Sequence, residues 1–287
     1  MTILREFGQK VHGRMARWGI KAHVVVVNLL GIALVTVLLV LASLQQERTL
    51  VFRDEANQLQ ALHTSFEARV AQDAQTAEAL ATAFARNEAM QAAFAENDRE
   101  ALIRLALPTW LALGKSVGVA QCQFHQPPAV SFVRLHNLGA YGDDLSGFRQ
   151  SVVDAISTKQ PVAGLEVGRA GIGIRGVSPM WYGNTFLGSV EFGLSFDGDY
   201  LRDYAARYPA EVLVYLRSVS DVPLFDQAAA DTPNAEADYG LYAATVEDDF
   251  PVPSEVVKAV IAETEPATIR RFAHEGERYA AYVAPLT

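Results

Sequence analysis

The stretch VVVVNLLGIALVTVLLVLASL, residues 24–44, carries no charged side chain, and Asn28, Thr36 and Ser43 are its only distinctly polar residues. About 20 apolar residues allow an α-helix to cross the roughly 30 Å hydrocarbon layer of a bilayer. A secretory signal peptide usually has a shorter apolar core, roughly 7–15 residues, and then a small-x-small cleavage site. The letters LASLQQ at the end of the stretch lack a good site of this kind. We therefore predict a retained transmembrane helix, in preference to a signal peptide or a buried core helix.

The charges on either side of this helix predict its orientation. Residues 1–23 carry five basic side chains and one acidic side chain, whereas the charges after residue 44 are mixed. Because basic residues stay on the cytoplasmic side, we expect a cytoplasmic tail at 1–23 and an exported portion from residue 45 onward. The whole chain has a net charge of −9 in spite of its basic tail. The exported portion is therefore strongly acidic, and we expect it to bind no nucleic acid.

A long helix is predicted directly after the transmembrane segment. Between residues 45 and 113 there is no glycine, and Pro108 is the only proline. Apolar residues recur at helical spacing on one face, namely Leu59, Leu62, Phe66, Val70, Ala77, Leu80 and Phe84. A helix over residues 45–84 would be roughly 60 Å long. We expect part of this face to pack on the chain's own domain and part to pair with a second subunit, giving a homodimer.

Two short helices are predicted to complete the helical segment, residues 45–115. One covers residues 88–95. The next begins at Asn97 or Asp98, both good capping residues, and ends at Gly114. Pro108 is expected to kink this helix or to end its regular part.

The pattern changes to strands at residue 117. Residues 117–125 and 130–136 are rich in β-branched and aromatic residues and flank the turn-forming letters QPP, which indicates an antiparallel pair. A loop at 138–147 and an amphipathic helix at 148–157 follow. Further strands are predicted near 163–169, 172–178 and 186–194. Helices followed by five strands indicate an α+β fold, with an antiparallel sheet and helices along one side.

Charged side chains lie inside these strands among apolar residues and glycines. They are Arg134, Glu166, Arg169, Arg175 and Glu191. An isolated buried charge is too costly, so these charges must pair with one another or bind a ligand. In the first case, arginine–carboxylate pairs hold the strands together. In the second case, the arginines bind an anionic group of a ligand, and the glycines at 164, 168, 171, 173 and 176 let that ligand approach the backbone.

Signals for catalysis, metals and cofactors are weak. The letters GIGIRG at 171–176 fit a dinucleotide-binding pattern, but no helix follows them. His125 and His136 could face each other as metal ligands, yet no Cys or acidic residue at metal spacing supports this. Cys122 is the single cysteine, so no internal disulfide is expected. No nucleophile elbow, zinc-protease helix or phosphate loop is present. We predict no catalytic residue, no metal and no cofactor, and a protein that is not an enzyme.

Two segments carry a family resemblance. FHQPPAVSFVRLHNLGAYGDDLSGFRQSVV, residues 124–153, and GLEVGRAGIGIRGVSPMWYGNTFLGSVEFG, residues 164–193, resemble the membrane-distal half of a double Cache domain. The resemblance is to the third-type, PAS-like sensor of bacterial methyl-accepting chemotaxis proteins and related transmembrane receptors. It implies an inner-membrane chemoreceptor with a periplasmic sensor, and a PAS-like antiparallel sheet in each of two modules. The distal module, residues 116–196, would hold the ligand, and the proximal module would cover residues 197–287.

The resemblance favours ligand recognition by the strand charges, without transferring individual residues from the family. The candidates rest on local chemistry, and the ligand is expected to be small and anionic, such as a carboxylate. The candidate ligand-binding residues are Arg134, His136, Arg149, Glu166, Arg169, Arg175 and Glu191.

The proximal module is expected to contain a helix near 200–207, a strand at 211–216 and a loop at 218–237. A strand at 241–246, a helix near 254–263 and strands at 267–273 and 278–283 complete it. No second apolar run follows, which departs from the family pattern and suggests truncation before a second transmembrane helix. Alternatives are the sensor of a diguanylate cyclase or histidine kinase, an anchored hydrolase, and an anchored scaffold that binds a periplasmic protein. Ion pairs without a cavity between residues 134 and 191 would favour the scaffold.

Overall fold

The computed structural model describes most of the chain. The described residues are 20–168, 171–208, 210–217, 239–246, 252, 257–258, 260, 267–274 and 276–286. They form an α+β structure in which a long amino-terminal helix precedes antiparallel-sheet modules. The chain divides into two compact units, residues 1–58 and 59–287.

Helix α1 spans Ile20–Ala85 and has 66 residues, a length of about 100 Å. The apolar stretch and the predicted stalk therefore lie in one continuous helix. Within the described part of the chain, this is the one helix long and apolar enough to cross a membrane, and its apolar part is not buried by protein. The side chains of Asn28 and Thr36 donate to the carbonyls of Val24 and Ile32, one turn earlier, at 2.8 and 2.9 Å. These polar groups are thus satisfied inside the helix, as a bilayer requires.

Two shorter helices follow, as predicted. Helix α2 spans Glu88–Ala95 and helix α3 spans Arg99–Val117. Asp98 is the amino-terminal cap of α3, and its carboxylate accepts from the backbone N–H of Ala101 at 2.9 Å.

The predicted end of α3 at Gly114 is wrong. The helix continues past Pro108 and Gly114, and Gly118 ends it with a φ of 74°. An interior glycine costs only about 1 kcal/mol relative to alanine, which tertiary contacts readily offset. Gly114 permits such a contact, because a Cβ atom there would lie 3.3 Å from the Val119 carbonyl oxygen.

Five antiparallel strands form the main sheet, in the order β2-β1-β5-β4-β3. Helix α4, Gln150–Thr158, connects β2 to β3. The strands are β1 Val119–Gln126, β2 Val130–Arg134, β3 Val162–Gly168, β4 Gly171–Tyr182 and β5 Thr185–Ser195. The predicted five-stranded sheet and the α+β class are confirmed. Strand β2 ends earlier than predicted, so His136 lies in the turn that follows it.

One face of the sheet packs against α1, α2 and α3. The rings of Phe84 in α1 and Phe192 in β5 meet edge to face at 4.8 Å. Gly176 in β4 touches the helix backbone, since a Cβ atom there would lie 2.0 Å from the Glu78 nitrogen. Four members of the predicted apolar face of α1 are buried in this core, so at these positions the face packs on the chain's own domain. They are Phe66, Val70, Ala77 and Phe84.

The other face of the sheet is covered in part by α4. Val152, Ala155 and Ile156 of this helix form a second core with Val177 of β4. Residues alternate across a strand, so Val177 faces away from Ile174, which belongs to the first core. The expectation of helices along one side only is therefore wrong. The apolar stripe of α4 needs a partner of its own, and this face of β4 provides it.

The elements after the main sheet are short. They are α5 Gly198–Ala205, the strand pair β6 Leu213–Arg217 and β7 Tyr239–Ala244, and the pair β8 Thr268–His274 and β9 Glu277–Val283. The predicted loop at 218–237 lies outside the described residues. So does the predicted helix at 254–263, except for residues 257, 258 and 260.

Helix α5 is fastened to α1 by polar contacts. The Tyr204 hydroxyl donates to the Leu62 carbonyl at 2.7 Å. The Arg69 guanidinium donates to the Asp203 carboxylate at 2.6 Å. The start of the proximal segment is thereby tied to the long helix.

Replacing Gly176 by alanine tests the contact between β4 and α1. The new Cβ would lie 2.0 Å from the Glu78 nitrogen and 2.3 Å from the Ala77 carbonyl carbon, so a backbone must move. We expect Gly176→Ala to lower the free energy of unfolding by about 1–3 kcal/mol, measured by thermal unfolding of the full chain in detergent. Gly147→Ala is the matched control, because nothing lies within 4 Å of its Cβ position. Equal stability of the two variants would contradict the proposed close contact.

Candidate functional site

Cross-strand register brings polar residues together on the sheet face that carries α4. Glu191 of β5 is paired with Gln123 of β1 and with Val177 of β4. One step along, Gly193 is paired with Gln121 and with Arg175. Because side chains alternate across a strand, both rows point to this same face.

Arg149 joins two of the predicted carboxylates. Its Nη2 donates to Glu191 Oε1 at 2.6 Å, and its Nε donates to Glu166 Oε2 at 2.7 Å. The side chains of Glu191 and Arg149 are 0% and 5% exposed. Burial disfavours both charges, but their attraction outweighs it, so the pKa of Arg149 is raised above its usual value.

The local structure of α4 explains how Arg149 reaches the interior. Arg149 is the amino-terminal cap residue of α4. Glu166 of β3 accepts from the backbone N–H and the hydroxyl of Ser151, both at 2.7 Å. A carboxylate is favourable at a helix amino terminus, where backbone N–H groups lack partners inside the helix. Glu166 therefore holds both the start of α4 and the arginine that caps it.

Arg175 lies over glycines on the same face. Its Nη1 donates to Gln121 Oε1 at 2.6 Å and, less closely, to Glu191 Oε1 at 3.3 Å. Cβ atoms at Gly173 and Gly193 would lie 2.6 and 2.2 Å from atoms of this guanidinium. The space that these two glycines leave beside the backbone is therefore filled by the Arg175 side chain.

The charge of Arg175 is matched less well than that of Arg149. Its Nε atom is buried and has no hydrogen-bond partner in the part of the chain that the structure describes. Burial lowers the pKa of Arg175, and the attraction of Glu191 does not fully compensate. Glu191 Oε1 lies closer to Arg149 Nη2, at 2.6 Å, than to Arg175 Nη1, at 3.3 Å.

His125 completes the cluster. Its Nδ1 lies 3.2 Å from the Ser189 hydroxyl, and its Nε2 lies 3.6 Å from Glu191 Oε2. Burial lowers the pKa of His125 from 6.5 to about 4, although Glu191 acts in the opposite direction. Burial would raise the pKa of Glu191, but the charges of Arg149 and Arg175 lower it from 4.5 to about 2. At neutral pH the histidine is neutral and the carboxylate is ionised.

Arg134 is engaged in a separate ion pair. Its Nη1 and Nη2 atoms donate to the two carboxylate oxygens of Asp143 at 2.7 and 2.9 Å. It also donates to Gln123 Oε1 and to the Ala140 carbonyl, both at 3.1 Å. These bonds fasten the loop at 138–147 to β2. Arg134 therefore lies beside the cluster around Glu191 and is occupied by that loop.

Two predicted site residues are not placed in this cluster. His136 lies after β2, outside the hydrogen bonds described above, and burial lowers its pKa. Arg169 lies outside the described residues. Among the described residues, no group of three or more His, Cys, Asp or Glu side chains is arranged to hold a metal ion.

The structure adds residues that sequence reasoning missed. The sequence pattern allows His125 to be either a metal ligand or an ordinary hydrogen-bonded histidine, and it does not place this residue among the charged strand residues. Gln121 and Gln123 lie two residues apart on β1, so they share one face of a strand that is otherwise rich in apolar residues. This pattern in the sequence indicates a polar patch on that face. Tyr242 gave no signal, because it belongs to β7, a distant part of the chain. Its hydroxyl accepts from the Ile172 N–H at 3.0 Å and donates to the Phe196 carbonyl at 3.1 Å.

A cavity of about 80 Å³ adjoins Arg175. Its polar lining residues are Gln121, Arg175, Ser195, Asp197 and Tyr242. Ala120, Ile172, Gly173, Leu194 and Phe196 form the rest of the wall. Neither Arg134 nor Glu191 lines it.

The dCache_3 family, described as the double sensory domain of two-component sensor kinases, matches residues 53–287. The chain belongs to this family. The predicted resemblance to a double Cache sensor is thereby confirmed. Domains of this kind are extracytoplasmic sensors that bind ligands and are not themselves catalytic.

Several solved dCache-like sensors are similar in fold at low identity. The periplasmic domain of Vibrio cholerae LuxQ has a TM-score of 0.42 and 10% identity, covering 79% of this chain and 99% of that domain. The V. cholerae histidine kinase DctB sensor domain has a TM-score of 0.39 and 12% identity, and the match covers 58% of this chain and 67% of that domain. The isoleucine-bound sensory domain of Campylobacter jejuni chemoreceptor Tlp3 has a TM-score of 0.37 and 11% identity, and the match covers 79% of this chain and 91% of that domain. No curated protein matches the sequence.

The pKa values of His125 and Glu191 predict a stability that falls in acid. His125 has a pKa of about 4 in the folded chain and 6.5 ordinarily, so the unfolded chain binds more protons between these pH values. The free energy of unfolding should therefore fall as the pH drops from 6.5 to 4, by at most about 1.4 kcal/mol per pH unit. Protonation of Glu191 adds to the loss between pH 4.5 and about 2.

Thermal unfolding of the full chain between pH 7.5 and 4 measures this effect. His125→Gln should flatten the decline between pH 6.5 and 4, because glutamine does not titrate. His63→Gln, a change on α1 outside the cluster, is the control and should keep the decline. Identical pH profiles for the wild type and His125→Gln would show that His125 does not carry it.

Proposed function

We propose that the chain is the periplasmic ligand-binding region of a bacterial inner-membrane chemoreceptor, and that it binds a small anion such as a carboxylate. The observation that carries the proposal is the buried Arg175. Its guanidinium lies over Gly173 and Gly193 beside a cavity, and its contact with the Glu191 carboxylate is 3.3 Å long. Among the described residues, its Nε atom has no hydrogen-bond partner. A buried cation with incomplete pairing is costly, and an anionic ligand would complete it.

The other predicted residues divide into supporting roles under this proposal. Glu191, Arg149 and Glu166 form a network that holds α4 on the sheet. Arg134 holds the loop at 138–147 through Asp143. For these groups, ion pairing between strands and loops explains the buried charges. Arg175 is the residue for which ligand recognition gives the better explanation.

A route for the signal is available in the packing. The β4 backbone touches the α1 backbone at Gly176, the residue directly after the proposed ligand arginine, Arg175. A ligand that prefers one arrangement of the sheet would therefore bias the position of α1, and it acts only through its differential affinity for the two arrangements. We propose that α1 carries this change toward the membrane.

The proposed homodimer would pair α1 helices. Away from its buried face, α1 presents exposed small residues at helical spacing, including Ala68, Ala79 and Ala83. Small residues allow two helix backbones to approach closely.

A second candidate is the sensor region of a histidine kinase, which the description of the family favours. The chemoreceptor and the kinase share every feature of the sensor and differ in the output module. The DNA that follows codon 287 distinguishes them, since it would encode a methyl-accepting signalling segment in one case and a kinase in the other. One observation favours the anchored scaffold instead: among the described residues Arg134 and Glu191 are held in ion pairs, and neither lines the cavity beside Arg175.

Isothermal titration of the full chain in lipid nanodiscs tests ligand binding. We propose small organic acids and amino acids as titrants. Arg175→Ala should weaken binding of the recognised anion about 10- to 100-fold, because it removes charge-assisted hydrogen bonds worth about 1.5–3 kcal/mol. Arg202→Ala, an exposed arginine on α5 whose side chain is 60% exposed, is the control and should leave binding unchanged. If Arg175→Ala leaves every affinity unchanged, the proposed site is wrong.

A reporter fusion tests the orientation. Alkaline phosphatase joined after Thr287 should be active, because the enzyme folds only outside the cytoplasm and the basic tail keeps the amino terminus inside. The control replaces the five basic residues of the tail by glutamine and should reduce that activity. An inactive fusion to the unaltered chain would place the sensor in the wrong compartment.

A further inference from the structure

We propose that the cavity between Arg175 and Tyr242 is the binding site for a short monocarboxylate anion of the size of formate or acetate. This inference rests on the proposed function, since it names the ligand class and places its carboxylate. The argument has three parts, which concern the size of the cavity, the donors that line it and its charge.

The size of the cavity limits the ligand. Its volume of about 80 Å³ is far below the roughly 300–1,000 Å³ of pockets that hold drug-sized molecules. It is sufficient for a few water-sized groups. The ring of Tyr242 closes one side, because its hydroxyl is held by Ile172 and Phe196. A longer acid would have to displace this ring.

Glycines keep both Arg175 and Tyr242 in place around the cavity. A Cβ atom at Gly173 would lie 2.6 Å from the Arg175 guanidinium, and one at Gly171 would lie 2.7 Å from the Tyr242 hydroxyl oxygen. Gly171 also has a φ of 100°, which other residues rarely adopt. The two glycines are on the same face of β4, two residues apart. The Arg175 guanidinium lies over Gly173, and the Tyr242 hydroxyl lies over Gly171.

The donors suit a carboxylate. Arg175 is 4% exposed and lines the cavity, and within the described part of the chain its Nε atom has no hydrogen-bond partner. Gln121 lines the same cavity and already accepts from Arg175 through Oε1, so its amide N–H₂ group is the part that remains to donate. A guanidinium and an amide donor together recognise a carboxylate.

The charge of the lining favours one negative charge and opposes two. Arg175 supplies a single positive charge. Asp197 also lines the cavity, and its Oδ1 accepts from the backbone N–H groups of Asp199 and Tyr200 at the start of α5. The second charge of a dicarboxylate would therefore meet the Asp197 carboxylate. This arrangement predicts a preference for acetate over oxalate, which is of similar size and carries two charges.

The experiment is isothermal titration of the full chain in nanodiscs with sodium formate, acetate, butyrate and oxalate. We expect formate and acetate to bind, oxalate to bind at least 10-fold more weakly than acetate, and butyrate not to bind. Arg175→Lys keeps the positive charge but loses the fork of donors, and should weaken acetate at least 5-fold. Thermal unfolding verifies that each variant is folded.

Two further variants test features that general loss of structure would not reproduce. Asp197→Asn removes the charge but keeps a residue that caps helices well, so it should reduce the preference for acetate over oxalate. Tyr242→Ala opens one side of the cavity and should allow butyrate to bind. Both changes predict a gain of binding, which an unfolded variant cannot show.

The outcomes separate this inference from the proposed function. If the chain binds another acid or an amino acid through Arg175 but neither formate nor acetate, the inference is overturned and the sensor function stands. If acetate binds and Asp197→Asn leaves the discrimination against oxalate unchanged, the assigned position is wrong. If no titrant of either experiment binds, both proposals fail.

Discussion

The buried ion pair between Glu191 and Arg149 is the interaction on which the side of the main sheet that carries α4 depends. Glu191 lies in a central strand and is wholly inaccessible to solvent. Arg149 reaches it from the start of α4, and Glu166 of β3 holds that arginine in turn. Removing one member of such a pair costs about 3–5 kcal/mol, because the other charge remains buried without a partner. The network thereby constrains the position of α4 relative to two strands, β3 and β5.

The two arginines near Glu191 differ because one carboxylate cannot serve both equally. Arg149 has two close carboxylate partners at 2.6 and 2.7 Å. Arg175 has a neutral amide at 2.6 Å and a carboxylate at 3.3 Å. Arg149 is therefore a structural cation, whereas Arg175 retains capacity for an additional anion. This difference in pairing is the physical basis of the proposed function.

Glycines on β4 determine what may touch each face of the sheet. Gly176 brings the strand against the backbone of α1, and Gly173 accommodates the Arg175 guanidinium on the opposite face. Gly171 accommodates the Tyr242 hydroxyl, which links β7 to the beginning of β4. The single strand β4 thus carries Arg175, the candidate ligand arginine, and it contacts both the long helix α1 and strand β7. Such a strand is well placed to couple binding to a movement of α1.

Much of the fold was predictable from local patterns. An apolar run followed by a helical period predicts α1, because both depend only on residues within a few turns. The five strands and the antiparallel sheet followed from period-two alternation and turn residues. The end of α3 was not predictable, since Gly114 is tolerated there through its contact with the Val119 carbonyl.

By itself, the sequence determined the α+β class, the long helix and the presence of charges that must be paired or bound within the strands. It also indicated the family, through motifs that are local in the chain. Only the tertiary structure decided that Arg134 pairs with Asp143, that Arg149 pairs with Glu191, and that Tyr242 lines the cavity beside Arg175. The physical reason is that periodicity reports which face a side chain takes. Its partner arrives from a distant segment, and that choice depends on distances that only the folded chain defines.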